Sequence, residues 1–244
     1  MCQKKTQLFV LLVLCIFIGS CRISGVSMMV SAVRPLDADC HVDANRFIAR
    51  GSLNLNATST YLVAIDLESV LEGVDTEGAN EHLLASGKEN RIVLTELTRQ
   101  YFIYGEGGTS KQILAESEPI TGVLEPNSAT LLTIPLSMLG SVGVSTIREL
   151  LSEVREGAGL GTEVAVGAEV FIRFQLYGKI ASTGKKVKTA PVDFPIFIYF
   201  GATLPICEDE EELAPVGPCG LYGGQDGFAP KCCVLNPTNG KCTG

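Results

Sequence analysis

Sulfur is the reactive element of this 244-residue chain, and the spacing of its nine cysteines indicates which sulfur chemistry to expect. Two, Cys2 and Cys15, lie in an apolar N-terminal leader, Cys21 follows it and Cys40 stands alone. The other five, Cys207, Cys219, Cys232, Cys233 and Cys242, crowd near the C-terminus with gaps of eleven, twelve, zero and eight residues. No Cys-x-x-Cys pair and no neighbouring histidine accompanies them, so the pattern suits a small disulfide knot better than zinc. Other reactive groups are few. Only His41 and His82 are imidazoles, and the chain has no Gly-x-Ser-x-Gly, His-Glu-x-x-His or Gly-x-Gly-x-x-Gly motif. Gly105–Lys111 is glycine-rich, but a phosphate loop needs Gly-Lys followed by Ser or Thr, and here Ser110 precedes Lys111 and Gln112 follows it. Asp37, Asp39 and Asp43 have the look of a calcium loop, yet its required Gly and Glu positions hold Val42 and Ile48. Paired carboxylates could hydrolyse a glycoside, but pairing in space is not written in a sequence. The expectation is a protein without enzymatic activity: no catalytic residue, no cofactor and no metal.

The leader is the most specific signal. Lys4 and Lys5 precede an unbroken apolar run from Leu8 to Ile18, followed by Gly19, Ser20 and Cys21. Positive start, short apolar core and small residues are the features of an export signal. Eleven apolar residues are too few to cross a bilayer as a helix, which takes about 20. Ile18-Gly19-Ser20-Cys21 resembles the lipobox of bacterial lipoproteins, with Cys21 as the acceptor. That resemblance implies diacylglycerol on the Cys21 sulfur, cleavage before Cys21 and an acyl chain on the new amine. The alternatives are ordinary secretion, with Cys21 incidental, and a one-pass membrane protein. Parity favours the lipid: with Cys21 acylated, Cys40 and the five tail cysteines form an even set that can close as disulfides in an oxidising compartment. Arg22, rather than Asp, follows the acceptor, which points to the outer membrane.

Loss of Lys4 and Lys5 with the leader takes the formal charge from −8 to −10. An acidic, Trp-free chain with scattered cations has no footprint for nucleic acid. The same sign repels anionic headgroups, so membrane residence is expected to rest on the lipid.

Four regions are expected: a signal peptide over 1–20, a lipidated tether over 21–44, a β-domain over 45–203 and a Cys-rich, disulfide-bonded tail over 204–244. Within the β-domain, apolar residues alternate at period two in segments bounded by turn residues. The segments are 46–56, 60–71 (Tyr61, Val63, Ile65, Leu67), 91–104, 111–121, 128–137, 162–181 and 186–200. The glycines of 105–108 suit a hairpin turn, and 72–90 reads as a long acidic loop that contains His82. Pro191 and Pro195 suit an edge or a bulge. One segment changes period: Ile147, Leu150, Leu151 and Val154 form a helical stripe over 146–156, with Thr146 and Glu149 at capping-box spacing. The fold class is mainly β, an antiparallel β-sandwich of about seven strands with one short helix.

Residues 45–200 resemble the type 2 late-embryogenesis-abundant domain, also called the water-stress and hypersensitive-response domain. The likeness lies in the apolar early strand 61–71, in Gly122-Val123-Leu124-Glu125-Pro126-Asn127-Ser128 leading into Leu131-Leu132-Thr133-Ile134-Pro135-Leu136, and in the helix and long hairpin that follow. An asparagine common in that family's second strand is missing, and Asp66 lies there within Ile65-Asp66-Leu67-Glu68. The resemblance implies a β-sandwich and a link to envelope stress, with no catalytic residues.

Five tail cysteines cannot all pair among themselves, so Cys40 is expected to tie the start of the sandwich to the tail. Chain ends lie close in compact domains, which makes Cys207 the first choice of partner. The adjacent Cys232 and Cys233 should each find a distant cysteine. The function expected is that of a lipid-anchored envelope protein, held to the membrane through its N-terminal lipid and binding another envelope component. The second reading is a structural or stress-protective surface lipoprotein without a specific ligand.

Overall fold

The period-two segments fold, in chain order, into β1 (Met28–Arg34), β2 (Gly51–Asn54), β3 (Leu62–Ser69), β4 (Ile92–Tyr104), β5 (Ser110–Leu124), β6 (Leu132–Ser137), β7 (Val166–Ile180), β8 (Lys186–Lys188), β9 (Val192–Phe200), β10 (Glu212–Leu213) and β11 (Cys232–Cys233). Helix α1 (Ser141–Gly157) lies between β6 and β7. This computed structural model describes residues 27–71, 90–104, 110–126, 132–161, 164–201, 207, 211–214, 217–221, 223–226, 231–236 and 238.

Two sheets make the sandwich. The small one has the order β1-β3-β6. The large one has the order β2-β9-β7-β4-β5, with β8 paired to β7. Their facing surfaces share one core: Val63, Ile65 and Leu67 of β3 meet the inward stripes Leu94-Leu97-Tyr101, Ile172-Phe174-Leu176 and Phe194-Ile196-Ile198. Alternating burial along β9 and along β7 from Val170 onward is the signature of strands with one wet face. The mainly-β class holds. The pairing is not wholly antiparallel, because β2 runs parallel to β9, Gly51 opposite Ile196 through Asn54 opposite Tyr199.

Three departures from the sequence expectations have local causes. The stretch expected as a tether is strand β1, paired antiparallel to β3 from Met28–Ser69 to Arg34–Ala64. Its Met28 and Val33 are buried. Pairing with β3 gives this short apolar stretch the burial that a leash would lack. The return strand 186–200 breaks into β8 and β9 around Thr189, Ala190 and Pro191. Buried Thr189 bridges the gap: its Oγ1 accepts the Leu176 N–H at 3.1 Å and its own N–H donates to the Leu176 carbonyl at 3.0 Å. Pro195 lies one residue before the β2 pairing starts at Ile196, so no strand flanks β9 on that side there; the edge expectation holds at that residue. The helix begins at Ser141, earlier than its apolar period suggests, and Thr146 and Glu149 do not cap it. Gly140 is the N-cap, and its N–H donates to the Tyr101 hydroxyl and to Glu116 Oε1, both at 3.0 Å. Val144, Ile147 and Leu151 are its buried apolar side chains, whereas Val154, expected at the end of the stripe, is exposed because the core contact ends a turn earlier. Gly159, with φ +64°, takes the left-handed turn beyond the helix end.

Candidate functional site

A groove of about 650 Å³ opens where β1, the start of β2 and the tail meet. Its first wall is the loop that leaves β1. Pro35 and Leu36 head it, Asp43 N–H donates to the Pro35 carbonyl at 3.3 Å, and Ile48 N–H donates to the Val33 carbonyl at 2.9 Å. The chain therefore doubles back along β1 and presents Arg46 and Phe47. Arg34 fixes this loop from below. Its Nε donates to Asp66, its Nη1 donates to the Ala44 carbonyl, and its guanidinium lies 4.6 Å from the Phe47 ring centroid. Asp66 accepts a second hydrogen bond from Thr133 Oγ1 at 2.8 Å, so this buried carboxylate is satisfied on both oxygens.

The second wall is the edge of the large sheet, Arg50 to Ser52 with Phe197 on the outer face of β9. Arg50 pairs with Glu169 at 3.1 Å. The third wall is the tail. Asp226 N–H donates to the Ser52 carbonyl at 3.0 Å, its Oδ1 accepts the Ser52 N–H at 2.8 Å, and Asn54 N–H donates to the Gly224 carbonyl at 2.7 Å. The tail thus closes the open edge of β2. Gln225 reaches the small sheet as well: its amide accepts from the Leu62 N–H at 2.9 Å and donates to the Leu62 carbonyl at 2.6 Å. Beneath it the buried Tyr61 hydroxyl donates to Asp226 Oδ2 at 2.6 Å. Burial first, and the Asp226 charge second, push the Tyr61 hydroxyl far above its usual range, so it remains a donor. Gly51 makes room for that ring; a Cβ there would lie 2.2 Å from the Tyr61 oxygen.

Asp226→Ala is expected to cost about 1–3 kcal/mol by leaving the Tyr61 hydroxyl and the Ser52 N–H without their acceptor. Faster amide exchange at Ser52 and Asn54 would report the tail leaving β2, and unchanged exchange would refute that coupling.

One of the two disulfides among the described residues adjoins the groove, beside Pro218. Cys40 joins Cys219 across 179 residues of sequence, and Cys207 joins Cys232 across 25. Cys40 does tie the start of the sandwich to the tail, but its partner is Cys219 and not Cys207. The segment that returns to β2 is 217–226, which carries Cys219, whereas Cys207 is held beside the β10–β11 ladder. Cys40 and Cys219 turn around one acceptor: both N–H groups donate to the Asp37 carbonyl, at 3.2 and 2.8 Å. Both adopt positive φ, 64° and 54°. Cys233 is disulfide-bonded too, to a cysteine outside the described residues; Cys21 and Cys242 also lie outside them.

The loop 37–43 uses its acid for folding. Asp37 Oδ1 accepts from Asp39 N–H at 2.9 Å and His41 N–H at 2.7 Å. Among the described residues no three His, Cys, Asp or Glu side chains are grouped to hold a metal. The expected hairpin after β4 is in place, with Tyr104 opposite Ser110; its glycines, like His82, lie outside the described residues.

A second polar cluster lies inside the sandwich. Arg99, 1% exposed, donates to the Ser137 carbonyl from Nε at 3.1 Å and from Nη2 at 2.6 Å, and Nη2 also pairs with Glu118 at 2.6 Å. Its Nη1 is 3.8 Å from Glu116, which also accepts from the Tyr101 hydroxyl. Burial, then the Glu116 hydrogen bond, raise the Tyr101 hydroxyl well above its ordinary value. These contacts converge on Ser137 and Gly140, so the cluster pins the turn from β6 into α1.

Phe47, 69% exposed, and Phe197, 40% exposed, set the groove's chemistry together with Arg46 and Arg50. Exposed rings thus lie in one groove with two guanidinium side chains, Arg46 and Arg50. Sequence reasoning placed Phe47 in a strand and left Phe197 unremarked. Their juxtaposition depends on the parallel pairing of β2, for which the local pattern has no signal. No protein-family model and no curated protein matches the chain.

Proposed function

We propose that this protein is a lipid-anchored lipoprotein of the bacterial cell envelope, without enzymatic activity, that binds another envelope component through the groove beside β2. The observation that carries the binding half is a pair of exposed phenylalanines in a groove whose loop and tail walls are joined by the Cys40–Cys219 bridge, the tail being hydrogen-bonded in turn to the β2 edge. Holding the walls before a partner arrives lowers the ordering cost of association. The anchoring half rests on Ile18-Gly19-Ser20-Cys21 and on the even cysteine set left once Cys21 carries lipid. Arg22 after the acceptor favours the outer membrane.

Intact mass of the mature protein tests the anchor directly. Cleavage before Cys21, acyl mass on that residue and no free thiol are the expected result. Cys21→Ser should move the protein to soluble fractions or leave the precursor uncut, because two or three acyl chains hold far better than one. Unchanged membrane partition in Cys21→Ser after a high-salt wash, which removes protein held by charge alone, would end the proposal. For the groove, photocrosslinking from position 47 should give the same adduct in repeated envelope preparations, and Phe197→Asp should remove it. A uniform smear without a discrete adduct would favour the structural or stress-protective reading.

A further inference from the structure

The net charge of the chain predicts repulsion from anionic surfaces, yet the fold collects cations at one corner. Strand register places them. Val123 pairs with Val93, Val93 with Lys179 and Lys179 with Lys186, so these four form one row across β5, β4, β7 and β8. They face away from the core: Val93 is 38% and Val123 43% exposed, and both lysines are exposed. Lys185 and Lys188 flank the row on the same hairpin, and Arg91 lies beside it, its carbonyl accepting the Ala181 N–H at 2.9 Å; all three are exposed. None of these five cations has an ion pair among the described residues. A depression of about 590 Å³ next to Lys179 and Lys186 is also lined by Glu96 and Glu118, and Glu118 is engaged by Arg99 at 2.6 Å.

This corner lies at the end of the sandwich where the chain enters. A Cβ on Gly122, one residue before Val123, would lie 3.6 Å from Leu132 of β6. Leu132 pairs with Leu67, and two residues further along β3 Ser69 pairs with Met28 at the start of β1. Ser27 is bound there through its carbonyl to the Val70 N–H at 3.0 Å. Five residues lie between Cys21 and Ser27, a reach of at most about 22 Å over six chain steps. The groove lies toward the opposite end of β1, beyond Arg34.

We infer that the corner formed by Val93, Val123, Lys179 and Lys186, with Lys185 and Lys188 beside it, is a docking surface for anionic lipid headgroups. It takes the lipid anchor as its premise for orientation: a domain tethered at Met28 by so short a chain meets the membrane with this end. Lysines supply charge to the headgroup phosphates, and the two valines supply apolar surface at the interface. The groove then faces away from the bilayer, toward other envelope components.

Co-sedimentation tests the surface without the anchor. The mature chain carrying Cys21→Ser is mixed with vesicles containing phosphatidylglycerol or with phosphatidylcholine alone. Binding only to the phosphatidylglycerol vesicles is expected, weakening as salt rises. Each lysine replaced by glutamine should lower the partition about fivefold, while Lys→Arg at the same four positions retains it. Arg46→Gln with Arg50→Gln, at the groove, should leave it unchanged. Excess inorganic phosphate at matched ionic strength should not displace the protein. Equal binding to both vesicles, no binding to either, insensitivity to the lysines, displacement by phosphate, or an equal loss in the groove variant would each overturn the inference. Because this protein carries no lipid, its result stands apart from the intact mass of the wild type: an unacylated Cys21 refutes the anchor, and a negative sedimentation refutes the surface.

Discussion

Removing the Cys40–Cys219 bridge by a paired change to alanine should lower stability by about 5 kcal/mol, the upper figure that the chain-entropy treatment assigns to closing so long a loop. The loop spans 179 residues, nearly the whole sandwich. Removing Cys207–Cys232, which closes only 25 residues, should cost about 3.5 kcal/mol on the same reasoning. Denaturant midpoints measured on the two double variants decide the order. A greater loss from the short bridge would refute loop closure as the dominant effect. The consequences also differ in place. Loss of Cys40–Cys219 frees Pro218 from the groove wall and should weaken the crosslink from position 47, whereas loss of Cys207–Cys232 should leave that crosslink intact. Peptide mapping without reduction should recover Cys40 joined to Cys219, and Cys233 joined to the remaining tail cysteine, Cys242.

The β-rich class was legible because its signal is local. Alternation along Thr162–Ala181 reports one buried face whatever lies opposite, and the glycines at 105–108 report a reversal without naming a partner. Non-local features left weaker traces. Met28–Arg34 reads as a tether because seven mixed residues carry little period, and pairing with β3 alone makes them a strand. The stripe Ile147-Leu150-Leu151-Val154 located the helix, but its start depends on Gly140 meeting Tyr101 and Glu116, side chains 39 and 24 residues away. Parity forced Cys40 to reach the tail, yet choosing Cys219 over Cys207 required knowing which part of the tail returns to β2. The same limit hid the groove. Phe47 and Phe197 are 150 positions apart, and only the parallel β2–β9 pairing puts them on one surface. Asp66 is the instructive case: the sequence showed an acid where the resembled family often has asparagine, and its partner Arg34 lay in the stretch read as a tether.

Arg34→Ala should therefore destabilise the fold by about 3–5 kcal/mol, because it strands a buried carboxylate. Asp66 retains only Thr133 Oγ1 in that variant, and the Ala44 carbonyl and the Phe47 ring lose their cation together. Arg173 and Asp193 provide the contrast. Their fork is bidentate, at 2.7 and 2.8 Å, but exposed, so breaking it should cost no more than about 1 kcal/mol. The Arg173 hydrogen bond holds the Asp193 carboxyl below its ordinary value, so that small contribution is present above the usual aspartate range and is lost as pH falls through the lowered one. A buried pair and an exposed pair in one sandwich thus give two scales within the same denaturation experiment. The decisive variant is Arg34→Met with Asp66→Leu, which replaces both charges by apolar groups of similar size. Most of the single-variant loss should be recovered, since neither charge is left buried alone. Phe47 would still lose its cation, so the loop over 43–48 should exchange its amides faster even where global stability returns. Single losses that simply add in the double variant would show that Arg34 and Asp66 do not act as a pair, and that the loop is held by something other than this guanidinium.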